Sequence, residues 1–163
     1  MDTKQQLALV KELRANEKHA EARDSLLALA TQFPADPDVQ YETACVHDFL
    51  GLEREAVPYY HAAIQNGLSG TDLRGACLGL GSTYRTLGMY RESKQVFEEG
   101  LRFFHEANEI KVFLAMTHYN LSEHQESMKI LLHLIADTTA DMEIKSHAKA
   151  IFLYADELNR IWE

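Results

Sequence analysis

Leu80-Gly81-Ser82-Thr83-Tyr84, then Gly88-Met89-Tyr90, then Ser93-x-x-x-Phe97, is the stretch whose reading decides the fold of this chain. Gly81 in the first half removes side-chain bulk where a second helix must come close. Tyr84 fills the space beside it, and Phe97 packs from the second helix. The surrounding composition agrees with helix throughout. The 163 residues include 3 Pro and 8 Gly, and Ala, Leu, Glu and Arg, which favour helix, are abundant. A 46% hydrophobic and 25% charged make-up is that of a packed domain rather than a disordered chain.

The spacing of this stretch resembles the tetratricopeptide repeat, a helix–turn–helix unit of roughly 34 residues. The L-G-x-x-Y part is complete. Cys77 stands for the family tryptophan, Ser93 for its alanine, and no proline closes the unit. Working outward at that period gives repeats at about 3–36, 37–70, 74–107 and 108–141, with a three-residue slip at Ser69-Gly70-Thr71-Asp72. Ala22, Leu26 and Pro34 carry the signature in the first repeat, Ala56, Tyr60 and Ala63 in the second, and Leu114-Ala115, His118, Ser127 and Leu131 in the fourth. Residues 142–163 read as one amphipathic capping helix along Ile144, Ala148, Ile151, Ala155 and Leu158, with Trp162 either clipped onto the last repeat or free. The resemblance therefore implies an all-α chain, a right-handed α-solenoid of antiparallel helix pairs in a single domain over 1–163.

Local signals place the helix ends. Asp2 or Thr3 with Gln5 or Gln6 is a capping pattern for the first helix, and Asp36-Pro37 sets an N-cap followed by proline at the first helical position. Gly51 and Asn66-Gly67 are left-handed stops. Pro58 predicts a kink after the first turn of its helix, and Ser122 with Gln125 predicts a capping box.

Proteins of this family use the first helix of each repeat to line a concave groove that takes an extended peptide or a helix. Carried across residue by residue, the groove positions are Tyr41, Cys45, Asp48 and Phe49, then Ser82 and Arg85, then Met116, Tyr119 and Asn120, and His147 and Tyr154 on the capping helix. Gly75 and Gly79 are expected to leave open space between them. Leu78, Val112 and Phe113 share the same faces, and ordinary helix packing accounts for such residues equally well. Tyr41, Phe49, Arg85 and Tyr119 are the expected anchors. The family's carboxylate-holding subclass fits poorly, because the corresponding positions read Leu7, Lys11, Glu42, Gly75 and Gly79, and Glu42 repels a carboxylate.

Other functional classes find little support. The net charge is −9, which argues against binding to nucleic acid or an anionic membrane surface. The longest apolar run, near Ile130, is broken by His133 and is too short to span a bilayer. The eight histidines include no H-x-x-x-H pair, so neither a metal nor a cofactor is expected. Cys45 and His47 point to different faces of one helix and make a poor nucleophile–base pair, and Cys77 occupies a packing position. No catalytic residue is expected. Two cysteines make no disulfide framework, and Met1–Gln6 lacks the build of a signal peptide, so a reducing, cytoplasmic setting is expected. The sequence thus reads as a non-enzymatic module whose partner is a protein or peptide; the alternative is a self-associating scaffold, a homo-oligomer built through the groove or the C-terminal helix, and a small-ligand receptor or enzyme stands behind both.

Overall fold

The computed structural model describes residues 2–161. Among them the secondary structure is entirely helical: α1 (Thr3–Ala15), α2 (His19–Gln32), α3 (Pro37–Phe49), α4 (Glu53–Gln65), α5 (Gly70–Thr86), α6 (Tyr90–Phe103), α7 (Asn108–Asn120), α8 (His124–Thr138), α9 (Met142–Ser146) and α10 (Ala148–Asp156). Two compact units divide these elements, Met1–Met89 and Tyr90–Glu163.

One turn recurs along the chain. Glu17, Gly51, Gly88 and Ser122 all take positive φ, at +60°, +72°, +74° and +63°. Each is the residue after a helix's C-cap, and the next N–H reaches back to a carbonyl five residues earlier: Lys18 to Leu13, Leu52 to His47, Met89 to Tyr84 and Glu123 to His118, at 2.9 Å each. This is the Schellman arrangement, which satisfies the orphan carbonyls of a helix end. The spacings are 51 − 17 = 34, 88 − 51 = 37 and 122 − 88 = 34. The repeat is therefore written in backbone conformation as well as in side chains.

The three-residue slip is not a loop. α1, α3 and α7 have 13 residues each, whereas α5 has 17 and begins at Gly70. The extra length is wound in as about one further helical turn. Pro58 sits exposed inside α4, which runs unbroken from Glu53 to Gln65.

In the first unit, α1 packs on α2, α2 on α3, α3 on α4, and α4 on α5. Asp2 caps α1 in a reciprocal box with Gln5, and Asp36 caps α3 by accepting from Asp38 and Val39. The core joins Leu7, Val10, Leu26, Leu29, Val39 and Val46. Fully burying aliphatic side chains of this kind is worth about 1.5–3 kcal/mol each before chain entropy is counted.

In the second unit, α6 packs on α7, α7 on α8, and α8 carries α9 and α10. Phe97, Ile110 and Ala115 are fully buried, and the Phe97 ring lies 6.3 Å from that of Phe113. Small residues mark the α7/α8 crossing: the buried Ser127 hydroxyl donates to the Ala115 carbonyl at 2.7 Å.

Two local expectations are corrected here. Ser122 does not cap α8; it holds the left-handed turn position, and Glu123 stands at the N-cap without a side-chain cap bond. The terminal segment is two helices rather than one. At the break, the Ser146 hydroxyl donates to the Glu143 carbonyl at 2.7 Å, and His147 Nδ1 lies 2.9 Å from that same oxygen. Such local side-chain bonds compete with the backbone ladder. α10 then ends at Asp156, and Trp162 lies outside the described residues.

Candidate functional site

The first helices of the pairs carry the residues of interest, and each unit presents its own wall. On α3, Tyr41, Cys45 and Asp48 follow one another at i, i+4 and i+7 and share a face. They are not free side chains. The Tyr60 hydroxyl of α4 donates to Asp48 Oδ2 at 3.2 Å and lies 4.0 Å from Cys45 Sγ. The Thr83 hydroxyl of α5 lies 2.9 Å from Asp48 Oδ1 and 2.8 Å from the Gly79 carbonyl.

Gly75 and Gly79 make this possible, and the expected open space between them is filled. A Cβ on Gly75 would collide with the Tyr41 hydroxyl, and one on Gly79 would collide with the Tyr60 hydroxyl and come 2.5 Å from its Cζ. The sequence signal for this existed: two glycines four apart on one helix face make a groove wide enough for a ring.

Burial dominates the electrostatics of the cluster. It pushes the Cys45 thiol up to about 11, so the sulfur is protonated at neutral pH and a weak nucleophile. It pushes the phenols of Tyr60 and Tyr41 well above their ordinary range. The Asp48 carboxyl is also raised by burial, while its bonds from Thr83 and Tyr60 pull it back.

The rest of the first wall is more open. Phe49 is 64% exposed, with His19 against its ring at 4.1 Å. Ser82 is half-buried, its hydroxyl donating to the Gly79 carbonyl at 3.0 Å, and Arg85 is half-buried in the last turn of α5. Lys4, Leu7 and Ala8 of α1, Asp38 and Tyr41 of α3, and Asp72 of α5 line a cleft of about 260 Å³. Lys4, Asp38 and Asp72 were not singled out from sequence, because only the packing of three helices brings them together. Beside them Glu42 accepts Lys11 at 3.0 Å and Arg14 at 2.5 Å. Glu42 thereby raises the Lys11 pKa and engages the one lysine that matched the carboxylate-holding pattern.

In the second unit, Met116 and Tyr119 of α7 are 39% and 64% exposed. The Tyr119 ring stands 5.0 Å from that of His124. Asn120 closes α7, half-buried; His147 lies exposed at the α9–α10 break, and Tyr154 is half exposed on α10. Behind Tyr119, Glu123 bridges Lys94 at 2.8 Å and His118 at 2.5 Å. Lys94 first, then His118, hold the Glu123 carboxyl below its usual range.

Helical hairpins at a 34-residue period, each closed by the same left-handed turn, define an α-helical repeat protein. A family model described as tetratrico peptide repeat matches residues 37–158, three quarters of the sequence, and the chain belongs to the tetratricopeptide repeat family. A comparison with curated proteins returned no match. Proteins of this family serve in general as protein-interaction modules. Among the described residues no helix is long and apolar enough to cross a membrane.

Proposed function

We propose that this chain is a non-enzymatic interaction module that takes a peptide or protein segment on the walls formed by its first helices. In the first unit the contacts are the Lys4–Asp38–Asp72 cleft, the outward edge of Tyr41, and Phe49. In the second they are Met116 and Tyr119, with Asn120, His147 and Tyr154 on the same unit. The observation that carries the reading is the exposure of Met116 and Tyr119, a thioether and an aromatic ring three residues apart on one helix face. Buried aromatic anchors dominate binding energy at protein interfaces, and methionine adapts to varied apolar surfaces.

A photo-crosslinking side chain placed at position 119, and separately at exposed Met128 on α8, tests it in cell extract. Capture of defined protein segments at 119 and not at 128 is the expected outcome. Equal capture at both positions would remove the first-helix wall as the site.

A further inference from the structure

The pair α1/α2 leaves open a face whose first-helix half is buried in the following pair. Leu9, Val10 and Leu13 of α1 with Ala28 and Leu29 of α2 line a cleft of about 390 Å³. One repeat later, 34 residues on, the α3 positions matching Gln6, Leu9, Val10 and Leu13 are Gln40, Thr43, Ala44 and His47. All four are at most 4% exposed. They lie beneath α2, the preceding helix, which packs on α3. Asn66, the equivalent of the cleft residue Gln32, donates to the Pro34 carbonyl just past the end of α2 at 3.2 Å. At that junction the covering element is a helix, α2, which packs on α3, while the α4 half of the face, at Tyr59 and Ala62, still lines a cleft of about 560 Å³ with Ala30, Pro34 and Gln40.

Within the first unit no described helix plays that part over α1/α2, and Leu9 stays 47% exposed. The cleft's eight lining residues carry no charge, so a charged segment would lose hydration there without return. α10 has the reverse problem. Its stretch 150–155 is uncharged, yet among its residues Ala155 alone is buried, and Leu153 is 51% exposed. Leu158 and Ile161 follow at 41% and 87% exposure.

We propose that the α1/α2 cleft is a docking site for the α10 segment of a second copy of this chain. The contact is independent of the first-helix walls proposed above. It joins two different surfaces, so copies add head to tail, into a closed ring where the rotation closes and into an open series where it does not.

Sedimentation velocity of the full chain over a wide concentration range tests this, with Leu9→Glu and Leu158→Glu as variants. Both positions are exposed; Ala28→Glu, also exposed, replaces Leu9→Glu if that variant melts early. The expected result is a wild-type mass that climbs above one copy with concentration, with association weakened at least about tenfold in each variant alone by a charge forced into an apolar contact. An equal mixture of the two variants has one intact cleft and one intact α10 segment, so it forms pairs and stops there. A wild-type chain that stays monomeric, a Leu158→Glu variant that associates normally, or a mixture that forms no pairs would each overturn the proposal.

Discussion

α3 and α7 occupy the same place in two repeats 71 positions apart (34 + 37 from the turn spacings), and they treat that place in opposite ways. Cys45 corresponds to Met116, and Asp48 to Tyr119. On α3 these residues are tied inward; on α7 they stand in solvent. The cause lies in the neighbours rather than in the positions. Tyr60 is the counterpart of Phe97 and Leu131, and of the three it alone carries a hydroxyl. That hydroxyl needs room, which Gly79 supplies, and a partner, which Asp48 supplies. In the second unit the counterpart of Gly79 is Phe113, whose ring fills the space against Phe97. One repeat thus spends its first-helix face on holding itself together, and the other leaves that face available.

The comparison is most severely tested at Gly79. In Gly79→Val the new side chain meets the Tyr60 ring from a helix backbone that cannot retreat. We expect a loss of about 1–3 kcal/mol, the usual size of overpacking in a tight core, read as a lower urea midpoint for the first unit. An unchanged midpoint would mean that Tyr60 is free to move and that the cluster does not constrain the wall.

Removing the acceptor is the next largest change. Asp48→Ala leaves the Tyr60 hydroxyl, on a residue only 2% exposed, without its carboxylate. The expected cost is about 1–2 kcal/mol, reduced because the carboxylate is itself penalised by burial. The sign with pH follows from that penalty. The raised carboxyl costs stability above its folded pKa, and the cost fades as pH falls through that value toward the unfolded one. Urea titrations of wild type and Asp48→Ala should therefore diverge more at pH 4 than at pH 7. A constant difference would place the carboxylate in full contact with water.

Glu123 runs the other way and more weakly. Lys94 and His118 lower its carboxyl pKa, so its contribution is present above the ordinary carboxyl range and is lost as pH falls through the folded value. It is substantially exposed, and surface pairs of this kind are worth about 0–1 kcal/mol. Glu123→Gln should cost about 0.5 kcal/mol or less at pH 7, and the cost should shrink as pH falls below the ordinary carboxyl range, measured by the same titration.

These contrasts also show how much was legible in the sequence. Leu80-Gly81 with Tyr84 and Phe97 was enough for the repeat, because close packing of two helices demands small and large residues at fixed offsets. The turn at Ser122 was misread because its motif fits two backbone states: a serine followed three residues later by glutamine is a capping box if extended and a Schellman turn if left-handed. The period decides, since Gly51 and Gly88 stand at the equivalent places. The glycines at 75 and 79 were misread for a different reason. What fills a gap on one helix is a side chain from another repeat, and no pattern local to α5 names Tyr41 or Tyr60. The same limit holds for Lys4, Asp38 and Asp72, which three separate helices contribute.

The smallest expected effect on stability is also the one that separates the two walls. Tyr119 is 64% exposed, its ring tilted against that of His124, so Tyr119→Ala should change the unfolding free energy by no more than about 0.5 kcal/mol. Asp48→Ala, at the same repeat position, should change it several times as much. If the α7 wall meets a partner, the order reverses in binding: Tyr119→Ala should weaken capture of the crosslinked segment by about 1–3 kcal/mol, as loss of an aromatic anchor does, while Asp48→Ala changes it little. Equal effects of both variants in both measurements would show that the walls do the same job and that exposure on α7 carries no functional meaning.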